Sequence, residues 1–441
     1  MNIIGFEAKK VYGYLDVKIN FNKDVTFLVG GNGSGKTTIL RIMQAILNPN
    51  IKELVVIPFE SADLIIDDNS SPLTISVRKD KRKIDVFLSS LNEVMTIPNI
   101  NNSDEFVVGN KSEDDEIYQR IERDNFSNEV YLKLKKMSKP IFLGLDRRSI
   151  SNSNYPLQDD IYFRRHVTSN KREVYYGTLG EALIHTEMMV QDSYRRIRNF
   201  EEKQGNYLID KILKSSFKFT DFNRVNIEPS AMDWMERENI IKRKEEIKNA
   251  INKIGTVDDS LIKDMDSFFN KITTLFEELR NSKGKGINVN WLMNKAQIDR
   301  VADILDVIDA SNSRVSKLYG PINSFINLIN KFFIDSGKKI EINTVGRLEV
   351  IRPDGKKCTI DSLSSGERQL LIMTANVFFN KHSGNSGVIV IDEPELSLHM
   401  RWQEMFSEHI LNVSPKTQFI MATHSPEIVG ELQDKCIAVG R

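Results

Sequence analysis

The chain has 441 residues, enough for two or three domains at roughly 100–200 residues each. Apolar residues make up 40% and charged residues 28%, and 61 Lys plus Arg balance 61 Asp plus Glu, which excludes a uniformly basic nucleic-acid coat and an acidic disordered tail. No aliphatic run approaches the roughly 20 residues that span a bilayer, and Met1 to Phe6 lacks the pattern of a signal peptide, so no membrane contact and a cytoplasmic location are expected. Cys358 and Cys436 make neither a disulfide framework nor a C-x-x-C zinc pair and read as buried fillers.

In chain order, the first 45 residues predict strand, turn, strand, loop and helix: Val25, Phe27, Leu28 and Val29 form an apolar run closed by glycines, and Thr38–Leu47 is apolar at helical spacing. Leu64–Ile66, Leu73–Val77 and Ile84–Leu88 predict an antiparallel β meander with a turn at Lys79-Asp80. The basic residues there, Arg78, Lys79, Lys81, Arg82 and Lys83, read as protection of an edge strand. The polar clusters Asn99–Glu116 and Ser149–Asp160 read as loops, with Ile141–Leu145 between them as a buried strand. From Thr178 to Ile334 the periodicity is helical, with stripes at Ile298, Val301, Leu305 and Ile308 and at Phe325, Leu328, Ile329 and Phe332. Its longest candidate helices, Leu179–Leu213 and Ala231–Ile254, would extend roughly 35–50 Å at ~1.5 Å per residue. Arg195, Arg196, Arg198 and Lys203 on the first, and Lys242, Arg243, Lys244 and Lys248 on the second, alternate with Glu201, Glu202, Glu245 and Glu246. Such mixed charge reads as salt-bridged solvated faces, with nucleic-acid contact as the second reading. After Glu341 the strand, turn and helix pattern returns. The expected fold is α/β, a parallel sheet plus the antiparallel meander, divided into 1–170, a helical insertion over 171–335, and 336–441.

Gly30-Gly31-Asn32-Gly33-Ser34-Gly35-Lys36-Thr37 fits G-x-x-x-x-G-K-[ST] between a strand and a helix. Glycines let consecutive backbone N–H groups face a polyphosphate, the helix start adds partial positive charge, Lys36 reaches the terminal phosphates and Thr37 offers a hydroxyl to Mg2+. Gly30, Asn32, Gly33, Ser34, Gly35, Lys36, Thr37 and Thr38 are the candidate ATP contacts. Val388-Ile389-Val390-Ile391 predicts a buried parallel strand with Asp392-Glu393 at its carboxyl end, where ligands of parallel sheets bind. Asp392 would hold Mg2+, directly or through water, and Glu393 would polarise the water that attacks the terminal phosphate.

With these residues the two ends of the chain, about 1–50 and 340–441, resemble the ABC-type ATPases in the soluble branch that includes SMC, RecF and OLD-like proteins. Leu363-Ser364-Ser365-Gly366-Glu367-Arg368-Gln369 is similar to that family's signature motif. Asp392-Glu393-Pro394-Glu395, followed by Leu396, Leu398 and His399, resembles the extended Walker B and D-loop, and Ala422-Thr423-His424-Ser425-Pro426 the switch histidine. The resemblance implies an ABC-type ATPase head with a large helical insertion and catalytic roles for Glu393 and His424. It further implies that Ser364, Ser365, Gly366 and Glu367 complete the ATP site of a second copy, so that the protein is a homodimer at minimum, a higher oligomer of dimers being left open. His399 reads as structural. The pattern departs in two places: no Q-loop glutamine is evident, Arg147 after the Ile141–Leu145 strand being the candidate on that side, and the adenine contact is open, with Tyr12 and Tyr14 near the phosphate loop.

Three functions fit. The first is the ATPase subunit of an anti-phage defence complex, resembling Septu, PARIS or retron-associated ATPases, which pair with a separately encoded effector nuclease. The second is a DNA-repair or recombination ATPase of the RecF or SMC type, against which stand the neutral charge and the absence of a long heptad run or zinc hook. The third, a transporter's nucleotide-binding subunit, fits least because of the helical insertion. Seventeen residues follow His424, too few for the Toprim domain of OLD-like nucleases, and the six histidines show no metal-ligand spacing. The chain alone is expected to hydrolyse ATP and to cut no nucleic acid.

Overall fold

In the computed structural model, residues 1–68, 71–100, 111–144, 178–216, 235, 239–254, 259–281, 289–379 and 387–440 are described. The parallel sheet follows from the apolar runs. Strands β3 (Val25–Val29), β8 (Ile141–Leu143), β12 (Val388–Asp392), β13 (Gln418–Thr423) and β14 (Cys436–Ala438) form one sheet in the order β14-β3-β13-β12-β8, every pairing parallel. Alternation along the strands divides their side chains between two cores. Leu28, Phe142, Val388, Val390, Ile420 and Ala422 join one core, whereas Phe27, Ile141, Leu143, Ile389, Ile391, Phe419 and Met421 join the other.

The first core is closed by helix α1 (Lys36–Leu47), helix α2 (Ile51–Val56) and a six-stranded antiparallel sheet. That sheet has the order β2-β1-β4-β5-β6-β7, built from β1 (Asn2–Val11), β2 (Leu15–Asn20), β4 (Ser61–Asp68), β5 (Ser71–Lys79), β6 (Lys83–Leu88) and β7 (Val94–Pro98). Helices α3 (Lys111–Asp124) and α4 (Glu129–Lys136) pack on it through Ile121, Val130, Tyr131 and Leu134. The second core is closed by α9 (Ser365–Phe379), α10 (Met400–Val413) and the apolar stripe Phe325, Leu328, Ile329 and Phe332. The small sheet β9 (Lys339–Ile342), β10 (Leu348–Ile351) and β11 (Lys357–Cys358) precedes α9.

Two expectations change. The polar cluster Asn99–Glu116 is not all loop, because Lys111 begins α3; a charged sequence still forms a helix when one stripe, here Ile121, finds a core. Arg78 and Lys79 do not guard an edge, because β5 lies between β4 and β6. Arg78 instead pairs with Asp63 at 2.9 Å, and Lys79 Nζ donates to the carbonyls of Leu54 (3.0 Å), Val55 (2.5 Å) and Ile57 (2.9 Å), groups the end of α2 leaves unpaired. The segment Ser149–Asp160 lies outside the described residues.

The chain divides into two compact units, Met1–Asp192 with Ile322–Arg441, and Ser193–Pro321. The second unit is helical and has its own core of Ile240, Ile247, Phe269, Ile272, Phe276, Ile298, Leu305 and Ile308. It draws on parts of α5 (Thr178–Ser216) and α8 (Val289–Phe332), on α6 (Lys244–Ile254) and α7 (Asp259–Asn281), and on residues 239–243 before α6. The 44 residues of α8 correspond to about 66 Å at ~1.5 Å per residue. The sequence stripes on either side of Pro321 are thus one helix, with Pro321 inside it. Charges in this unit pair locally: Arg243 with Glu246 (2.7 Å) and Asp309, Lys244 and Lys248 with Asp266 (2.5 Å each), Arg198 with Glu201 (3.1 Å). Those basic residues therefore sit on salt-bridged faces. No helix among the described residues is long and apolar enough to cross a membrane.

One buried side chain ties the parallel sheet to the six-stranded antiparallel sheet. Gln418, at the start of β13, accepts from Ile3 N–H (2.8 Å) and donates to the carbonyls of Ile3 (2.8 Å) and Asn22 (2.7 Å). Gln418→Leu leaves these backbone groups unpaired in the interior, and the expected loss is about 2–4 kcal/mol of stability. Chemical denaturation of the variant beside the wild type measures it, and a change within experimental error would count against this tie.

Candidate active site

The phosphate loop leaves β3 at Val29 and enters α1 at Lys36. Gly33 (φ +80°) and Gly35 (φ +96°) take left-handed conformations that a side chain would strain. A Cβ on Gly30 would lie 2.6 Å from the Val439 carbonyl oxygen, and one on Gly440 would lie 2.7 Å from Ser34 Cβ, so the residues after β14 brace the loop from below. Leu15, just after the turn that carries the exposed Tyr12 and Tyr14, packs against Gly35. Lys36 is buried, and its Nζ donates to the loop's own carbonyls at Gly30 (2.7 Å) and Gly31 (3.2 Å). Ser34 Oγ is buried and has no hydrogen-bond partner among the described residues. A folded-back ammonium, an orphaned hydroxyl and a loop without side-chain bulk fit a polyphosphate. Asn32 and Gly33 are exposed, and Thr37 and Thr38 are half-buried on the first turn of α1.

Strand register brings the other residues to the same edge. Val29 is opposite Thr423, and Ala422 is opposite Asp392, so the phosphate loop, His424 and Glu393 follow the carboxyl ends of three adjacent strands. Asp392 is buried and Glu393 half-buried. Glu393 N–H donates to the Ala422 carbonyl at 2.8 Å. Its φ of +46° is left-handed, a conformation costing about 1–3 kcal/mol for a non-glycine residue and met mostly where function requires it. Thr37 and Asp392 offer hard oxygen donors of the kind Mg2+ prefers. Among the described residues no group of three or more His, Cys, Asp or Glu could hold a metal ion.

His424 is held by Glu395, a partner its sequence position did not reveal. Glu395 Oε1 accepts from the backbone N–H of His424 at 2.9 Å and lies 2.9 Å from its ring Nδ1. Thr423 Oγ1 accepts from Ser425 N–H at 3.0 Å, and Ser425 Oγ caps the short helix α11 (Pro426–Val429). His399 is the N-cap of α10, its ring accepting from Arg401 N–H at 3.4 Å, in keeping with a structural role.

The signature residues adjoin the acidic turn. A Cβ on Gly366 would lie 2.3 Å from the Ser397 carbonyl oxygen, so only glycine permits this approach of α9 to the turn after Glu395. Ser364 and Ser365 are exposed at the start of α9, whereas Gly366 and Glu367 are buried. Glu367 closes a capping box: Ser364 N–H donates to Glu367 Oε2 at 2.7 Å, Glu367 N–H donates to Ser364 Oγ at 3.4 Å, and Lys338 Nζ reaches Oε2 at 2.7 Å. The carboxylate that the sequence marks as a nucleotide contact is thus occupied in shaping the loop. Arg147 lies outside the described residues.

This arrangement defines a P-loop ATPase, and the family comparison agrees. The chain matches the family model for the AAA ATPase domain over residues 12–429 and belongs to that family. It is similar to the retron Vc95 probable ATPase of Vibrio cholerae serotype O1 biovar El Tor, with 25% identity over 222 residues, 45% of this chain and 41% of that protein. A second relative is the retron Ec83 probable ATPase of Escherichia coli, 28% identical over 88 residues, 18% of this chain and 16% of that protein. The chain therefore spans less than half the length of these curated relatives. Among solved structures, the Smc head domain with an extended coiled coil bound to the C-terminal domain of ScpA, from Pyrococcus furiosus, aligns over 100% of this chain and 94% of its own at a TM-score of 0.41 and 14% identity.

Burial pushes the Glu367 carboxyl up, but the Lys338 ammonium and the Ser364 N–H outweigh it and hold the group below the ordinary value of 4.5. A depressed carboxyl contributes stability that is present above the unfolded value and is lost as pH falls through the folded one. Glu367→Gln is therefore expected to destabilise the protein at neutral pH, with the difference from wild type shrinking as pH falls below 4.5. Paired denaturation curves across that range read it, and a pH-independent difference would remove the ion pair from the account.

Proposed function

We propose that the chain is the ATP-binding and hydrolysing subunit of a cytoplasmic anti-phage defence complex, and that ATP-dependent rearrangement of a dimer controls a separately encoded effector nuclease. The observation that supports the ATPase reading most is the convergence of the phosphate loop, Asp392-Glu393 and His424 on one edge of one parallel sheet. The backbone N–H groups of Gly30–Thr38 would cradle the phosphates of the substrate ATP, and Lys36 would exchange its two loop carbonyls for the terminal phosphates. Thr37 and Asp392 would hold Mg2+, which neutralises charge on those phosphates when bound. Glu393 would orient and polarise the attacking water, and His424 would contact the γ-phosphate.

The signature supports the dimer reading. Gly366 abuts Ser397, while the phosphate loop abuts Leu15, Val439 and Gly440. The exposed Ser364 and Ser365 at the start of α9 then serve the ATP bound by a second copy, so that two nucleotides are sandwiched between two chains. The defence role rests on the two retron relatives and on the locally paired charges of the Ser193–Pro321 unit, which favour a protein partner over nucleic acid. ATP acts mechanically in this reading, by shifting the dimer between arrangements that differ in affinity for the effector.

Lys36→Ala is expected to abolish productive ATP binding, and Glu393→Gln to bind ATP while turning it over about 100-fold or more slowly, since an amide cannot serve as the base. Nucleotide titration and phosphate release measure both; undiminished turnover in either variant would sink the assignment. Ser364→Arg should prevent the ATP-dependent dimer without lowering ATP affinity. Light scattering of Glu393→Gln with and without ATP, repeated with Ser364→Arg added, tests this, and an assembly indifferent to nucleotide would refute the shared site.

A further inference from the structure

We propose that Glu395 is a positioning residue for His424, fixing which ring nitrogen faces the nucleotide; this rests on the ATPase reading above. Glu395 is 7% exposed and lies two residues beyond Glu393, in the turn closed by Leu396 N–H to the Glu393 carbonyl (3.1 Å) and Leu398 N–H to the Glu395 carbonyl (2.9 Å). Its Oε1 binds His424 twice, at the backbone N–H (2.9 Å) and at ring Nδ1 (2.9 Å). A carboxylate accepts and does not donate, so Nδ1 carries the proton in this contact and Nε2 is the nitrogen left for the site. A carboxylate that holds an imidazole in one tautomer and orientation is the arrangement by which hydrolytic triads keep their histidine competent.

A purely structural tie would not need this group. The backbone N–H of His424 could be satisfied by any neutral acceptor, whereas Glu395 Oε2 is buried and has no hydrogen-bond partner among the described residues. A half-satisfied buried carboxylate costs stability, about 1–3 kcal/mol for such a group. Retaining it is explained by what Oε1 does for the ring. The same turn continues to Ser397, whose carbonyl receives the signature glycine Gly366, so His424 is held by the segment that also meets the signature.

Two measurements test this, one independent of turnover. Nitrogen-15 spectra of the histidine rings at about pH 9, well above the ordinary histidine value of about 6.5, are expected to show His424 (assigned with His424→Ala) in the Nδ1–H form without nucleotide. Glu395→Ala should lose that preference, and Glu395→Gln, which keeps an acceptor for both N–H groups, should retain it. A wild-type His424 in the Nε2–H form overturns the proposal whether or not the protein hydrolyses ATP. In turnover that Lys36→Ala abolishes, Glu395→Ala should lower kcat about 10- to 100-fold with KM for ATP unchanged, the scale for losing the outer partner of a functional histidine. It should add no further loss to His424→Ala. Equal losses in the two backgrounds would make Glu395 a fold residue and overturn the proposal, whereas absence of Lys36-dependent turnover would defeat the ATPase reading and leave the spectra to decide this one.

Discussion

The site depends on the parallel register of β3, β13 and β12. With Val29 opposite Thr423 and Ala422 opposite Asp392, three loops distant in sequence begin within one residue of a common line. A slip of one residue in either pairing would exchange the side chains that face the two cores and shift the loop starts out of line. What holds the register is burial: every residue of β12 and β13 is buried, and their side chains alternate between two separate cores. Full burial on both faces also explains the uninterrupted apolar sequence of β12, which would be costly anywhere but inside a covered sheet.

The chemistry of the site uses backbone conformation as much as side chains. Glycines at 33 and 35 take positive φ without strain, but Glu393 takes it as a glutamate, directly before Pro394, and is held there by its hydrogen bond to Ala422. Gly366 serves a different purpose, close packing on Ser397, and it joins the signature to the acidic turn. Glu367 and Lys338 complete that corner by fixing the first turn of α9. The signature and the Asp392–Leu398 segment therefore form one packed corner of the second core, to which Leu363 and Leu398 both belong.

The neutral net charge of the chain reflects local pairing. In the Ser193–Pro321 unit, Arg243, Lys244 and Lys248 each meet an acid within hydrogen-bond distance. Individually, ion pairs near the surface contribute about 0–1 kcal/mol. Their larger effect is to cancel part of the field that these three residues would otherwise present to a polyanion.

The sequence by itself determined the features written in contiguous residues. These are the phosphate loop between β3 and α1, the buried strand ending in Asp392-Glu393, the meander of β4 to β6, and the helical stretch beginning near Thr178. Glycine spacing, apolar runs and period are local properties, and the forces behind them act within a few residues. Tertiary structure alone decided the partners: Glu395 with His424 across 29 positions, Gln418 with Ile3 across 415, Lys79 with the end of α2, and Glu367 with Lys338. Each is a polar side chain whose partner is not written in the residues around it, whether it lies outside any motif, as Gln418 and Lys79 do, or inside one, as Glu395 and Glu367 do. Its role comes from desolvation, which makes a buried polar group costly until another arrives from a distant part of the chain.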